Sequence, residues 1–192
     1  MYSTVVYKEI RWHGRGGQGA VTSAELFAAA AVRDGFYAVS IPFFGAERRG
    51  AHVVAFNRIS DTRVYVRSSI KNPDFVVVLD SKLLGLEHDK KRIFSGLKKE
   101  SVLVVNADKE VAESLGWRNV ACVNATEIAL KNRLVLAGIP LTNTAMLGAL
   151  AKVFGEISLK SFEEAVKAKW SGRRAEVNLM ALREGYSGVR WI

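Results

Sequence analysis

Three segments carry residue types and spacings that can do chemistry. The first is Gly14-Arg15-Gly16-Gly17-Gln18-Gly19, a G-x-G-x-x-G run that directly follows a β-type segment and opens a helix-type one. Glycines there allow a tight turn and remove the Cβ atoms that would hold a phosphate away. The helix start behind them offers free N–H groups and a partial positive charge, and Arg15 adds a cation. The plainer alternative is a strand-to-helix turn with no ligand. The second segment is Pro42-Phe43-Phe44-Gly45-Ala46-Glu47-Arg48-Arg49-Gly50-Ala51. Arg48 and Arg49 can clamp a phosphate or carboxylate in bidentate fashion, or Glu47 can neutralise one of them as a surface pair. Phe43 and Phe44 can stack on a base or belong to a core or subunit contact. The third is Asn143, either a ligand contact or simply a helix N-cap.

Several chemistries are excluded or disfavoured. A nicotinamide dinucleotide site wants an acid at the end of the second strand, and Ala38-Val39-Ser40-Ile41-Pro42 has none; Asp34 lies too early, in the last turn of the helix. No GKS or GKT is present, so a Walker-type hydrolase is out. One cysteine, Cys122, and no CxxC cannot supply a conventional four-thiolate cluster or a structural zinc site. Cys122 reads as a buried, inert residue. His13, at the end of the first strand, is either structural or faces the site. His52 and His88 lack metal-spaced partners. No metal ligand set and no catalytic residue is expected in this chain.

These segments need a scaffold to position them. Strands are expected over Lys8–His13, Phe36–Ile41, His52–Arg58, Arg63–Arg67, Phe75–Leu79, Val102–Asn106 and Val120–Val123. The uninterrupted apolar runs at 75–79 and 102–105 fit central parallel strands covered on both faces. The spacing of His52–Arg58 and Arg63–Arg67 predicts an inserted β-hairpin. Helices are expected from Gln18 to Asp34 with Gly35 as C-cap, from the Asn124–Glu127 capping box to Gly138, from Asn143 to before Gly155, from the Ser161–Glu164 box to near Gly172, and from Ala175 to Glu184. The fold class is therefore α/β, a Rossmann-like doubly wound, mostly parallel sheet with an inserted hairpin and a helical C-terminal third, in a single domain over 1–192. In an open sheet of this kind the first two segments emerge together at the strand carboxyl ends.

The balance of 28 Lys and Arg against 19 Asp and Glu gives a net charge of +9, which favours anionic partners without choosing among them. No helix-turn-helix or RRM pattern supports nucleic acid as that partner. Neither a signal peptide nor an apolar run of membrane length is evident, and a cytoplasmic location is expected. The basic residues at 90–92 and 98–99 read as the solvated face of a helix, with ferredoxin docking the less favoured reading. Arg173-Arg174 and the terminal Arg190-Trp191-Ile192 suit a subunit interface, or a Trp folded onto its own core.

Taken together, Gly14 to Val21, Phe44 to Ala51 and Phe56-Asn57-Arg58-Ile59-Ser60 make the chain resemble the gamma subunit of 2-oxoacid:ferredoxin oxidoreductases. Asn72-Pro73-Asp74, Asn143 to Ala149 and Ala175-Glu176-Val177-Asn178 extend the likeness over nearly the whole chain. It is closest to the pyruvate (pyruvate synthase) branch, which Ala51, in place of a second glycine after Arg-Gly, modestly favours over the indolepyruvate branch. The resemblance implies a heterotetramer with alpha, beta and delta subunits. That assembly converts pyruvate, coenzyme A and oxidised ferredoxin to acetyl-CoA, carbon dioxide and reduced ferredoxin, or acts on 2-oxoisovalerate or another 2-oxoacid. It further implies thiamine diphosphate, magnesium and iron–sulfur clusters in the partner subunits only, with this chain inactive alone. Coenzyme A would be bound by Gly14, Arg15, Gly16, Gly17, Gln18, Gly19, Glu47, Arg48, Arg49, Gly50 and Asn143, its phosphates by the glycine loop with Arg48 and Arg49. A stand-alone nucleotide-binding oxidoreductase is the less favoured alternative.

Overall fold

The structure is a computed structural model and describes residues 7–43 and 50–192. The elements follow in the order β1 (Tyr7–Arg15), α1 (Ala20–Arg33), β2 (Tyr37–Phe43), β3 (His52–Ser60), β4 (Phe75–Val78), α2 (Glu87–Phe94), β5 (Val102–Asn106), α3 (Lys109–Glu113), β6 (Val120–Val123), α4 (Ala125–Lys131), β7 (Val135–Leu136), β8 (Ile139–Pro140), α5 (Asn143–Phe154), α6 (Leu159–Lys169), α7 (Gly172–Ser187) and β9 (Arg190–Trp191). Seven strands form one sheet in the order β2-β3-β1-β4-β5-β6-β9. Its centre, β1-β4-β5-β6, is parallel, whereas β3 runs antiparallel between β1 and β2, and β9 pairs antiparallel with β6.

Strand periodicity sends alternate side chains to two separate cores. Ile10, Trp12, Val77, Leu79 and Val104 meet α1 and the C-terminal helices, while Val76, Val78, Leu103 and Val105 meet Ile93 of α2 and Ala112 of α3. Both faces are therefore covered, which is why the central runs show no polar alternation. Fully buried Asn57 locks β3 into place: its Oδ1 accepts from Trp12 Nε1 at 2.7 Å, and its Nδ2 donates to the carbonyls of Ala24 and Val39 at 2.9 and 3.2 Å. One amide thus ties β1, α1 and β2 together. No helix among the described residues is long and apolar enough to cross a membrane.

Five expectations need correction. Arg63–Arg67 is not a strand; β3 finds its antiparallel neighbours in β1 and β2, and the two-stranded hairpin of the fold is β7–β8. The guanidinium of Arg58 draws in the carbonyls of Val66 and Ser68 at 3.2 and 2.6 Å, so that segment is spooled around a buried arginine. Helix α4 stops at Lys131 rather than at Gly138, which instead lies in the β7–β8 turn. Asn143 is the first residue of α5 and Thr142 its N-cap. Helix α6 starts three residues before Ser161: Ser158 is the N-cap, its Oγ accepts from Ser161 N, and Asp34 at the end of α1 accepts from Ser158 N and from both serine hydroxyls. The Asn124 box is made in one direction: Asn124 Oδ1 accepts from Glu127 N at 2.9 Å, with no return bond from the Glu127 side chain among the described residues.

Helices α5 and α7 touch backbone to backbone. A Cβ placed on Gly148 would lie 2.0 Å from Leu182 O, and one on Gly185 would lie 2.0 Å from Ala145 O. Thr144 Oγ1 donates to Asn178 Oδ1 at 2.6 Å nearby. Gly148→Ala or Gly185→Ala must therefore push two helices apart, and we expect each to cost about 3 kcal/mol, a fall of roughly 6–12 °C in the thermal midpoint. A melting curve within a degree or two of the unsubstituted chain would contradict the close passage.

Candidate functional site

The glycine turn leaves β1 at Arg15 and re-enters a helix at Ala20, with Gly17 and Gly19 in the left-handed region at φ 96° and 86°. Its own amides are partly spent on closing the turn. Arg15 N donates to Gln18 Oε1 at 2.7 Å, Gln18 N to Arg15 O at 3.0 Å, and Gly16 N to Ala51 O at 2.9 Å. That last bond joins the turn to the described end of the second loop, where Gly50 is exposed at φ 85°. Phe44, Glu47, Arg48 and Arg49 lie outside the described residues.

The two sides of the turn differ in charge. On one side Gln18 Nε2 donates to Asp80 Oδ2 at 3.0 Å and Arg15 Nε lies 3.3 Å from the same oxygen, at an angle that makes no hydrogen bond. Asp80 and Asp108 line the small cavity there. Arg15 is thus already faced by a carboxylate. On the other side a cavity of about 730 Å³ runs beneath Gly17 and Gly19 and is walled by Asn143, Trp170 and three arginines, Arg133, Arg173 and Arg174. No carboxylate lines it, and none of the three guanidinium groups has a hydrogen bond or ion pair among the described residues.

Three helices, α1, α5 and α7, begin at this cavity, and none has a side-chain cap or an acidic residue in its first turn. Their N–H groups and dipoles therefore add positive potential to that of the arginines. Asn143 is only 6% exposed, presses on Gly19 so closely that a Cβ there would come within 2.9 Å, and has a side-chain amide with no hydrogen-bond partner among the described residues. That amide still reaches the cavity surface, because the side-chain atoms that are fully buried without a partner among the described residues are Arg15 Nε and Ser40 Oγ, so it is open to a ligand or to water. The arrangement can seat a polyanion with an aromatic or apolar portion against Trp170 and Leu136.

The sequence profile of the family described as "Pyruvate ferredoxin/flavodoxin oxidoreductase" matches residues 9–188. The chain belongs to this family. It is 47% identical, over 93% of its length and 95% of the other's, to the pyruvate/ketoisovalerate oxidoreductases common subunit gamma of Pyrococcus furiosus. The crystal structure of pyruvate oxidoreductase subunit PORC from Thermotoga maritima superposes with a TM-score of 0.81 at 39% identity, covering 96% of this chain and 98% of that one. In fold alone it also resembles the 2-oxoglutarate:ferredoxin oxidoreductase from Magnetococcus marinus, solved with 2-oxoglutarate, coenzyme A and succinyl-CoA bound. There the TM-score is 0.73 at 21% identity, over 94% of this chain and 30% of that longer one. This is a gamma-type subunit, with the α/β architecture, a parallel sheet centre and the helical C-terminal third that the sequence led us to expect.

In this gamma-type chain, the sheet face opposite α1 carries a buried polar chain behind the glycine turn. Arg11 Nε donates to His13 Nε2 at 3.0 Å, His13 Nδ1 lies 2.8 Å from His52 Nε2, and His52 Nδ1 lies 2.7 Å from Asp89 Oδ1. The pattern sets both imidazoles: each is neutral, with its proton on Nδ1. Arg11 further donates to the carbonyls of Arg92, Ile93 and Ser95 at the end of α2. His13 is therefore structural; together with His52 it fixes α2 to the strand ends from which both loops leave. The sequence pointed to the glycine turn and Asn143, but not to Trp170, Arg133 or the two arginines at the start of α7 as its neighbours. The one available signal, the Arg173-Arg174 pair, read equally well as an interface.

Burial holds the His13 pKa well below the usual 6.5, with Arg11, His52 and Arg92 adding repulsion. His52 is also lowered, first by burial and then by Arg92 and His88, against the opposing pull of Asp89. Unfolded histidines bind protons near pH 6.5 and the folded pair only at lower pH, so the unfolded state holds more protons between those limits and acid destabilises the fold. The thermal midpoint should hold steady above about pH 7 and drop as pH falls from about 6.5 to 5, by up to about 1.4 kcal/mol per pH unit for each histidine. In a His13→Gln/His52→Gln variant that drop should be shallower. A flat profile in the unsubstituted chain would show that the imidazoles are not held neutral.

Proposed function

We propose that the chain is the gamma subunit of a pyruvate:ferredoxin oxidoreductase complex, and that it seats the phosphates of coenzyme A in the arginine-walled cavity beneath the glycine turn. The observation that carries the reading is electrostatic. Arg173 and Arg174 sit in the first turn of α7, the end at which a cation is disfavoured by the helix dipole, and no acid of that turn relieves them. An anionic ligand turns that local penalty into binding. Amides of the glycine turn, the unpartnered amide of Asn143 and the N-termini of α1, α5 and α7 complete the seat, and Trp170 offers a face for the adenine. Arg48, Arg49 and Glu47 join this assignment on sequence alone. Arg15 contributes less than its position in the motif suggests, because Asp80 already faces it.

In this reading, oxoacid oxidation takes place on partner subunits, alpha, beta and delta, in the cytoplasm. Thiamine diphosphate with magnesium supplies the decarboxylation chemistry there, and iron–sulfur clusters carry the electrons to ferredoxin. One cysteine in 192 residues does not fit cluster binding here. The role of this chain is to hold the acyl acceptor so that its thiol reaches the partner's active site. The oxoacid is then chosen elsewhere. The P. furiosus relative is named as common to the pyruvate and ketoisovalerate oxidoreductases, which fits a subunit indifferent to that choice. A nicotinamide site is disfavoured by topology too. Because β3 lies between β1 and β2, the end of β2 is one strand spacing, about 4.8 Å, farther from the glycine turn than a ribose-binding acid would need to be.

The test is kinetic. In the purified complex, Arg173→Ala/Arg174→Ala should raise the KM for coenzyme A at least about tenfold, the scale of one or two lost charge-assisted phosphate contacts, while the KM for pyruvate stays within about twofold. Unchanged use of coenzyme A would sink the assignment.

A further inference from the structure

We infer that Arg133 is a coenzyme A affinity residue, kept at a glycine position at the expense of the fold; the inference rests on the coenzyme A reading above. Helix α4 ends with Asn132 as C-cap, and Arg133 follows at φ 55°. Leu134 N donates to Ala129 O at 2.8 Å and Arg133 N to Leu130 O at 3.1 Å. Those two bonds are the Schellman ending, in which the residue at the position of Arg133 is ordinarily glycine because the left-handed conformation crowds any Cβ. Neither bond uses the arginine side chain. The guanidinium has no hydrogen bond or ion pair among the described residues, so nothing within the fold repays the substitution.

The side chain does have a place to act. Arg133 lines the same cavity as Gly17, Gly19, Asn143, Arg173 and Arg174 but comes from a different element, the end of α4. It heads the segment that leads into the β7–β8 hairpin, whose Ile139 lies 3.6 Å from where a Cβ on Gly17 would be. A phosphate seated at the turn would therefore meet arginines from two elements, the start of α7 and the end of α4. The left-handed backbone sets the direction in which Arg133 leaves the chain, and we assign it the role of closing the cation ring around the ligand.

The inference separates stability from binding, because a glycine at this position satisfies the helix ending and removes the cation. In the purified full chain, Arg133→Gly should raise the thermal midpoint by roughly 2–4 °C. In the complex the same change should raise the KM for coenzyme A about tenfold and leave the KM for pyruvate unaltered. Arg133→Lys should keep the lower midpoint and recover part of the affinity, since it retains the charge and the strain but loses the planar fork. An Arg133→Gly chain that melts higher yet uses coenzyme A normally would overturn the inference, as would one that melts lower. If Arg173→Ala/Arg174→Ala raises the KM and Arg133→Gly does not, only the role of Arg133 falls. If neither does, the coenzyme A reading falls with it.

Discussion

The close passage of α5 over α7 at Gly148 and Gly185 is the constraint from which the site follows. Two backbones that approach to the point where a Cβ would sit 2.0 Å from a carbonyl oxygen leave little freedom in how the helices cross. The bond between Thr144 and Asn178 removes more of it near the helix starts. Asn143 and Arg173-Arg174 are therefore presented together at one end of the crossing. α5 is buried along most of its length, so it positions Asn143 as a fixed wall rather than a surface feature. A site built on packed helices holds its donors in place before any ligand arrives, which lowers the ordering penalty of binding.

A glycine turn is usually described by its sequence pattern, but here its surroundings decide what it can bind. Toward β4 the turn meets Asp80, which has already drawn in both Arg15 and Gln18. Toward α7 it meets three arginines and, among the described residues, no acid. On the first side Asp80 and Asp108 are balanced by Lys82 and Arg15, whereas the second is cationic among the described residues, so the charge pattern favours the cavity that the glycine pattern alone leaves open. The strand order reinforces this. With β3 interleaved, the crevice that a dinucleotide occupies in a nucleotide-binding sheet is not formed in the usual way, and the cavity bounded by the C-terminal helices takes its place.

What the sequence revealed and what it hid divide along a physical line. The buried strands were legible because a β-branched run of 75–79 or 102–105 has few other stable fates, and Gly35 and Gly155 marked helix ends by their conformational freedom. The misread elements are those settled by distant partners. Arg63–Arg67 has a strand-like alternation, but its neighbourhood is organised by Arg58. Ser161 has the form of a cap, but Asp34 reaches from the end of α1 and moves the helix start to Ser158. The end of α4 was hidden for a different reason: a Schellman ending without glycine carries no local mark, and the eye passes on to Gly138. Of the candidate site, the turn and Asn143 could be read locally, whereas the arginines that give it its charge come from positions 133, 173 and 174 and are assembled only by the fold.

Three locally unfavourable or incomplete choices also meet at one cavity. An arginine stands where glycine is at ease, two arginines stand at the start of a helix where acids are at ease, and the amide of Asn143 reaches the cavity with no partner among the described residues. Each alone is a small penalty of a kind that proteins carry at random. Sequences fold well because local preference and global structure agree, and departures from that agreement collect where a second demand acts on the same residues. Under the coenzyme A reading, a single anionic ligand would answer all three: it would neutralise the guanidinium groups, sit at the positive ends of α1, α5 and α7, and bond the amide of Asn143. On that reading, the unfavourable choices around the cavity are the unliganded half of a binding equilibrium.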